Sequence, residues 1–169
     1  MVKNMAEIKL VRVDFRLIHG QIITKWRKIF KISKIIVIDD ILAADDFMIN
    51  VYSSAAPADV VVKVYSVDKA TRLWEKNQFG TGDALVLFKD IATCSQLAQS
   101  GVRFPAVQLG GVPQTPERKG IAKAVFLSEK EMQMLQTMHD KGGVDFTVQI
   151  MPDDAPIGYD EIVKIYKSK

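Results

Sequence analysis

The feature that most constrains this chain is the run Ile35-Ile36-Val37-Ile38, an apolar stretch with no polar residue alternating into it. A strand with one wet face alternates, whereas a strand covered on both faces does not, so the run reads as an interior strand of a parallel sheet. It ends in Asp39-Asp40. Similar apolar stretches recur at Ile8 to Val13, Asp59 to Tyr65, Ala84 to Phe88, Ala106 to Leu109, Ala122 to Leu127 and Val144 to Met151. Segments of helical period lie between them. Ile22, Ile23, Trp26, Ile29 and Phe30 line one face of a helix from Ile22 to Phe30, with Trp26 read as core. Further helices are expected over Ala44 to Ala55, after Ser66 as N-cap, over Ile91 to Gln99, and from Ser128, which forms a capping box with Glu131, to Lys141. A last helix carries Tyr159, Ile162, Val163 and Tyr166 on one side.

This alternation, without repeats, low-complexity tracts or an evident linker, predicts an α/β fold: one domain over 1–169, with a mostly parallel central sheet flanked by helices on both faces. At 169 residues, 48% of them hydrophobic, the chain can bury a core without disulfides or metal. In such folds the chemistry gathers beyond the carboxyl ends of the strands. His19, Asp39-Asp40, Ser66 and Gly110-Gly111 all fall at strand ends on this reading. A plain turn is the favoured reading of the two glycines on spacing alone.

Charge is uneven. Between Lys9 and Lys34 there are eight Lys or Arg and one acid, Asp14, a local net of +7 within a total of +3. That concentration of positive potential can attract phosphate, an acidic protein surface or nucleic acid. Nucleic acid is disfavoured, because no recognition motif is present and only 8% of residues are aromatic. Cys94 is the single cysteine and reads as packing, which fits a reducing compartment. With no membrane-length apolar run and no apolar segment near the N-terminus, a cytoplasmic protein is expected. The only other histidine, His139, has no partner at ligand spacing, so neither a metal nor another cofactor is expected.

The segment Arg12-Val13-Asp14-Phe15-Arg16-Leu17-Ile18-His19-Gly20-Gln21 packs a histidine, two arginines and a carboxylate into ten positions, at a turn between a strand and a helix. A histidine there can be a general base, a ligand, a nucleophile or a structural group. No nucleophile elbow accompanies it, so hydrolysis with His19 as base is the weaker reading. Phosphoryl transfer asks for alignment, charge neutralisation and a neutral ring nitrogen. Arg16 can neutralise, the N–H groups of Gly20 and Gln21 after His19 can cradle a phosphate, and Asp14 can hold the arginine or the ring. A non-catalytic module docking an acidic partner through its basic rim remains the alternative.

The same segment resembles the active-site motif of the IIB components of the mannose, fructose and sorbose family of the bacterial phosphotransferase system. The likeness continues through Ile36-Val37-Ile38-Asp39-Asp40, Ala43-Ala44-Asp45, Ala55-Ala56-Pro57, Tyr65-Ser66-Val67-Asp68-Lys69-Ala70, Leu87-Phe88-Lys89 and Leu109-Gly110-Gly111. The resemblance implies a phosphotransferase component of sugar transport. His19 would take a phosphoryl group from a phosphohistidine of the IIA domain and pass it to a sugar imported through the membrane components IIC and IID. It implies Arg16 as charge partner and Asp14 as orienting neighbour, with Arg12, Ser66 and Gly110 at the phosphate-binding rim. The chain would be cytoplasmic and peripherally associated with the permease, with homo-oligomerisation left open. Two departures stand out: Phe15 replaces a second aspartate, and Gln108-Leu109-Gly110-Gly111-Val112 replaces Asn-Val-Gly-Gly-Met.

Overall fold

The computed structural model describes residues 5–169. Seven strands form one sheet: β1 (Glu7–Asp14), β2 (Lys34–Ile38), β3 (Val61–Tyr65), β4 (Asp83–Phe88), β5 (Ala106–Gly111), β8 (Asp145–Val148) and β9 (Ile157–Gly158). Their order is β3-β2-β4-β1-β5-β8-β9, and every neighbouring pair is parallel except β8–β9. The mostly parallel sheet expected from the unbroken apolar runs is therefore present, and Ile35 to Ile38 and Ala84 to Phe88 are buried on both faces.

Helix α1 begins as a π-helical stretch, Ile22–Trp26, and continues as Arg27–Phe30. With α2 (Asp40–Ala43) and α3 (Asp46–Ala55) it covers one face, over Ile22, Trp26, Ile35, Val37, Leu85 and Leu87. The opposite face carries α4 (Val67–Asn77), α5 (Ile91–Gln99), α6 (Glu129–Gly142) and α7 (Tyr159–Lys167), which pack on Val13, Ile36, Ile38, Val86, Phe88 and Phe146. Helices on both faces are thus observed. Among the described residues no helix is long and apolar enough to cross a membrane.

Away from the carboxyl end of β1 the structure departs from the sequence reading in four places. Ala122 to Leu127 is not a strand of the sheet. It is a separate antiparallel hairpin of β6 (Lys119–Ala122) and β7 (Val125–Leu127), tied back by a bridge between Val112 and Val125. The helix expected over Ala44 to Ala55 is α3 and starts two residues later, because Asp45 turns its carboxylate onto the Met48 N–H and caps it there, and the short helix α2 before it was not expected. Strand β8 stops at Val148 rather than Met151, and the loop that follows returns through β9, which the sequence left unassigned. Strand β3 starts at Val61, two residues later than expected. The capping box at Ser128 and Glu131 forms as its spacing predicts.

What positions the site is the crossover pattern. The chain leaves β1 towards the β2–β3 edge, returns to β4, then passes over β1 to reach β5. Connections therefore diverge around β1, and its carboxyl end opens between the two halves of the sheet.

Candidate functional site

Strand β1 delivers Arg12 and Asp14 at its carboxyl end, and both side chains are completely buried. Asp14 is the hub. Its Oδ2 accepts from Arg12 Nε and Nη2 (3.3 Å each), Arg16 Nη2 (3.0 Å) and His19 Nε2 (3.1 Å), while Oδ1 accepts from the Arg16 backbone N–H (3.1 Å) and Nε (3.0 Å). Burial by itself would raise its pKa. The hydrogen bonds from His19 and Arg16 and the charge of Arg12 outweigh that and hold the carboxyl well below the usual carboxylate range. An ionised carboxylate only accepts, so His19 Nε2 carries a proton, and in the neutral ring Nδ1 is then the nitrogen with the lone pair. Among the described residues Nδ1 has no hydrogen-bond partner.

A tight turn presents the ring. Leu17 N–H donates to the Asp14 carbonyl (2.9 Å), and Leu17 itself sits at φ 57°, left-handed backbone that costs a branched residue about 1–2 kcal/mol. Burial of the Leu17 side chain, at 2% exposure, offsets that strain. Helical geometry then begins at Gly20, with the His19 carbonyl accepting from Ile23 N–H (3.2 Å). The N–H groups of Gly20, Gln21 and Ile22 thus lie in a first turn without intrahelical acceptors, beside His19.

Arg12, expected at the phosphate rim, lies instead beneath the site. Its guanidinium donates to Gln108 Oε1 and to the carbonyls of Gln149 (2.8 Å) and Ile150 (3.0 Å), and it stands 5.2 Å from the Trp26 ring centroid. Trp26 Nε1 donates to the same Ile150 carbonyl (3.4 Å). With its donors used inside the protein, Arg12 acts as the buried counter-charge of Asp14. Burial lowers its pKa from the usual arginine value, against the opposing pull of Asp14.

Gly110 and Gly111 belong to strand β5 rather than to a turn, and the structure gives a reason for each. A Cβ on Gly110 would meet Arg12 Cζ at 1.9 Å, and one on Gly111 would meet Asp14 Oδ1 at 2.7 Å. The two missing side chains are the space that the buried pair occupies.

Arg16 is only partly buried, and its Nη1 has no partner among the described residues, so it is the cation that reaches the rim. Phe15 is 40% exposed and faces solvent beside the site, its ring centroid 5.9 Å from the Arg16 guanidinium. A cavity of about 580 Å³ opens next to this group, lined among others by Arg16, Gln21, Lys123, Gln149, Met151 and Asp154. Gln21 Oε1 is buried without a partner among the described residues.

Ser66 stands apart. It caps α4 by accepting from Lys69 N–H (3.1 Å), at the end of β3, which is three strands and so roughly 14 Å from β1. Asp39 likewise caps α2 through Leu42 N–H (2.9 Å), and Asp40 accepts from Val67 N–H (2.8 Å). The structure therefore brings together Arg12, Asp14, Arg16, His19, Gly20, Gln21, Gly110 and Gly111, but not Ser66. Sequence reasoning missed Gln108, Gln149 and Lys123. No local signal marks them, because each comes from a strand, loop or hairpin far from His19 in sequence.

Comparison with known proteins supplies the context. The model of the "PTS system sorbose subfamily IIB component" matches residues 8–169. The PTS system fructose-specific EIIB component of Bacillus subtilis (strain 168) is 31% identical over 160 residues, covering 95% of this chain and 98% of that one. The PTS system mannose-specific EIIAB component of Escherichia coli (strain K12) is 30% identical over 135 residues, 80% of this chain and 42% of that longer one. The crystal structure of manxB from Thermoanaerobacter tengcongensis superposes with a TM-score of 0.89 at 41% identity, covering 97% of this chain and 99% of that chain.

Proposed function

Because the chain belongs to the sorbose subfamily of IIB components of the phosphotransferase system, we propose that His19 is its phosphoryl-carrying residue and that Nδ1 is the atom that carries the group. The observation that supports this most directly is the hydrogen bond from His19 Nε2 to buried, ionised Asp14, which leaves the Nδ1 lone pair for attack.

In the first half-reaction Nδ1 forms a bond to phosphorus as the N–P bond of a phosphohistidine on the IIA partner breaks, and the departing imidazole keeps that electron pair. Asp14 stabilises the positive ring character that develops on His19. Arg16 Nη1 and the first-turn N–H groups of Gly20 and Gln21 neutralise the phosphoryl oxygens. Arg12 and Gly110 act from beneath, by holding Asp14 charged and in place. In the second half-reaction a sugar hydroxyl oxygen bonds to phosphorus as the Nδ1–P bond breaks, His19 keeps that electron pair as its lone pair, and the hydroxyl proton passes to solvent. No step needs a metal or cofactor on this chain.

On this reading the donor is the IIA domain, the acceptor a sugar presented by the membrane components IIC and IID, and the chain works in the cytoplasm against that permease. The EIIAB name of the E. coli relative supports a IIA partner.

Incubation with phosphoenolpyruvate and the upstream carriers, with radiolabelled phosphate, tests the reading. The wild type should gain an acid-labile, base-stable label that His19→Ala does not gain. Equal labelling of both proteins refutes it.

A further inference from the structure

Two successive segments of opposite charge supply the helices on one face of the sheet. From Gly20 to Lys34 there are five cations (Lys25, Arg27, Lys28, Lys31, Lys34) and no acid. Residues 35–62 hold five acids (Asp39, Asp40, Asp45, Asp46, Asp59) and no cation. Both segments pack on the same apolar layer, α1 through Ile22 and Trp26, α2 and α3 through Leu42 and Tyr52. An ion pair between Arg27 and Asp59 joins them within the chain. Each of α1 and α3 connects one parallel strand to the next, so the two helices run side by side in the same direction.

Their outer surfaces are apolar where a monomer would be expected to be polar. Ile41 is 85%, Phe47 74%, Ile29 56% and Val51 43% exposed. Helix α3 runs for ten residues without burying one, whereas α4, α5, α6 and α7 each bury at least one. Several large apolar side chains exposed on one helical layer, set among charged residues, mark an interaction site. Lys25, Lys28 and Lys31 rim Ile29, while Asp40, Asp45 and Asp46 rim Ile41 and Phe47.

We propose that this face is the interface of a homodimer in which α1 of each copy packs on α3 of the other. A two-fold axis running along the helices, between them, does this twice by symmetry and keeps each residue at its own height. The basic α1 of one copy, which carries Lys25, then faces the acidic start of α3, at Asp46, in the second copy, and the exposed apolar residues close the centre. An axis across the helices would instead oppose α1 to α1, cation to cation. An anionic lipid surface would be repelled by the exposed Asp40, Asp45 and Asp46. His19 stays accessible, since it lies at the carboxyl edge of the sheet and the interface lies on its face.

Sedimentation equilibrium of the purified chain over a concentration series tests the assignment. A dimer is expected that weakens with salt. Phe47→Ser should raise its dissociation constant about tenfold or more without changing the far-ultraviolet spectrum. Lys25→Glu and Asp46→Lys should each weaken it singly, and together should restore it, because the swapped helices again oppose unlike charges. A chain that is monomeric at its highest soluble concentration overturns the proposal. So does a dimer insensitive to Phe47→Ser, or a double variant weaker than either single one.

Discussion

Replacing Asp14 by asparagine keeps the shape of the hub and removes its charge. Four donors converge on Oδ2, from Arg12, Arg16 and His19, and two more on Oδ1. An amide offers one oxygen in place of two. If that oxygen stays with Arg16, the new NH₂ faces the Arg12 and His19 donors. Arg12, with no exposed surface, then loses its only counter-charge among the described residues. Breaking a buried pair from one side costs about 3–5 kcal/mol, which for a chain of this size lowers Tm by roughly 6–20 °C. The chemical consequence is separate. An NH₂ opposite His19 Nε2 must donate, so the ring proton moves to Nδ1 and the nucleophilic lone pair is lost. By analogy with asparagine behind other catalytic histidines, transfer should slow by about a thousandfold or more. Thermal unfolding by circular dichroism measures the first effect. Nitrogen-15 NMR of the His19 ring measures the second, with the proton on Nε2 in wild type and on Nδ1 in the variant. Asp14→Asn that melts within about 1 kcal/mol of wild type and keeps the Nε2–H tautomer would refute the reasoning.

Three further outcomes follow from the same geometry. Gly110→Ala should destabilise by at least about 2 kcal/mol in denaturant titrations, because its Cβ would lie 1.9 Å from an enclosed guanidinium carbon, and an unchanged midpoint would count against the packing described. Ser66→Ala should cost about 1 kcal/mol as a lost helix cap while leaving the rate of phosphoryl transfer unchanged; a rate loss without a stability loss would return Ser66 to the site. Asp14 has a lowered folded-state pKa, so its stabilising contribution is fully present above the unfolded carboxylate value of about 4 and is lost as pH falls below it. Acid titration should therefore show wild-type stability falling more steeply below that pH than that of Asp14→Asn.

The sheet was legible because its strands announce themselves locally. Ile35 to Ile38 needs no partner to be read as an interior strand, and Ser128 with Glu131 marks a helix start by itself. His19, Asp14 and Arg16 were legible for the same reason, lying within six residues of one another. What stayed hidden is non-local. Arg12 reads as a surface cation, because nothing nearby says that Gly110 leaves it space and that the Gln149 and Ile150 carbonyls accept from it across the sheet. The glycines read as a turn for the matching reason: the side chains that exclude a Cβ there come from β1. Ala122 to Leu127 has the composition of a strand, yet its pairing with Lys119 to Ala122 sets it outside the sheet, and pairing is not written in composition.

Nδ1 of His19, left unprotonated by the Nε2–Asp14 hydrogen bond, is the atom proposed to carry the phosphoryl group. The phosphorylated chain, labelled with nitrogen-15 and read by phosphorus–nitrogen NMR, tests it directly. Phosphorus should be bonded to Nδ1 of His19 with Nε2 still protonated towards Asp14; phosphorus on Nε2, or on any other residue, would rule that assignment out.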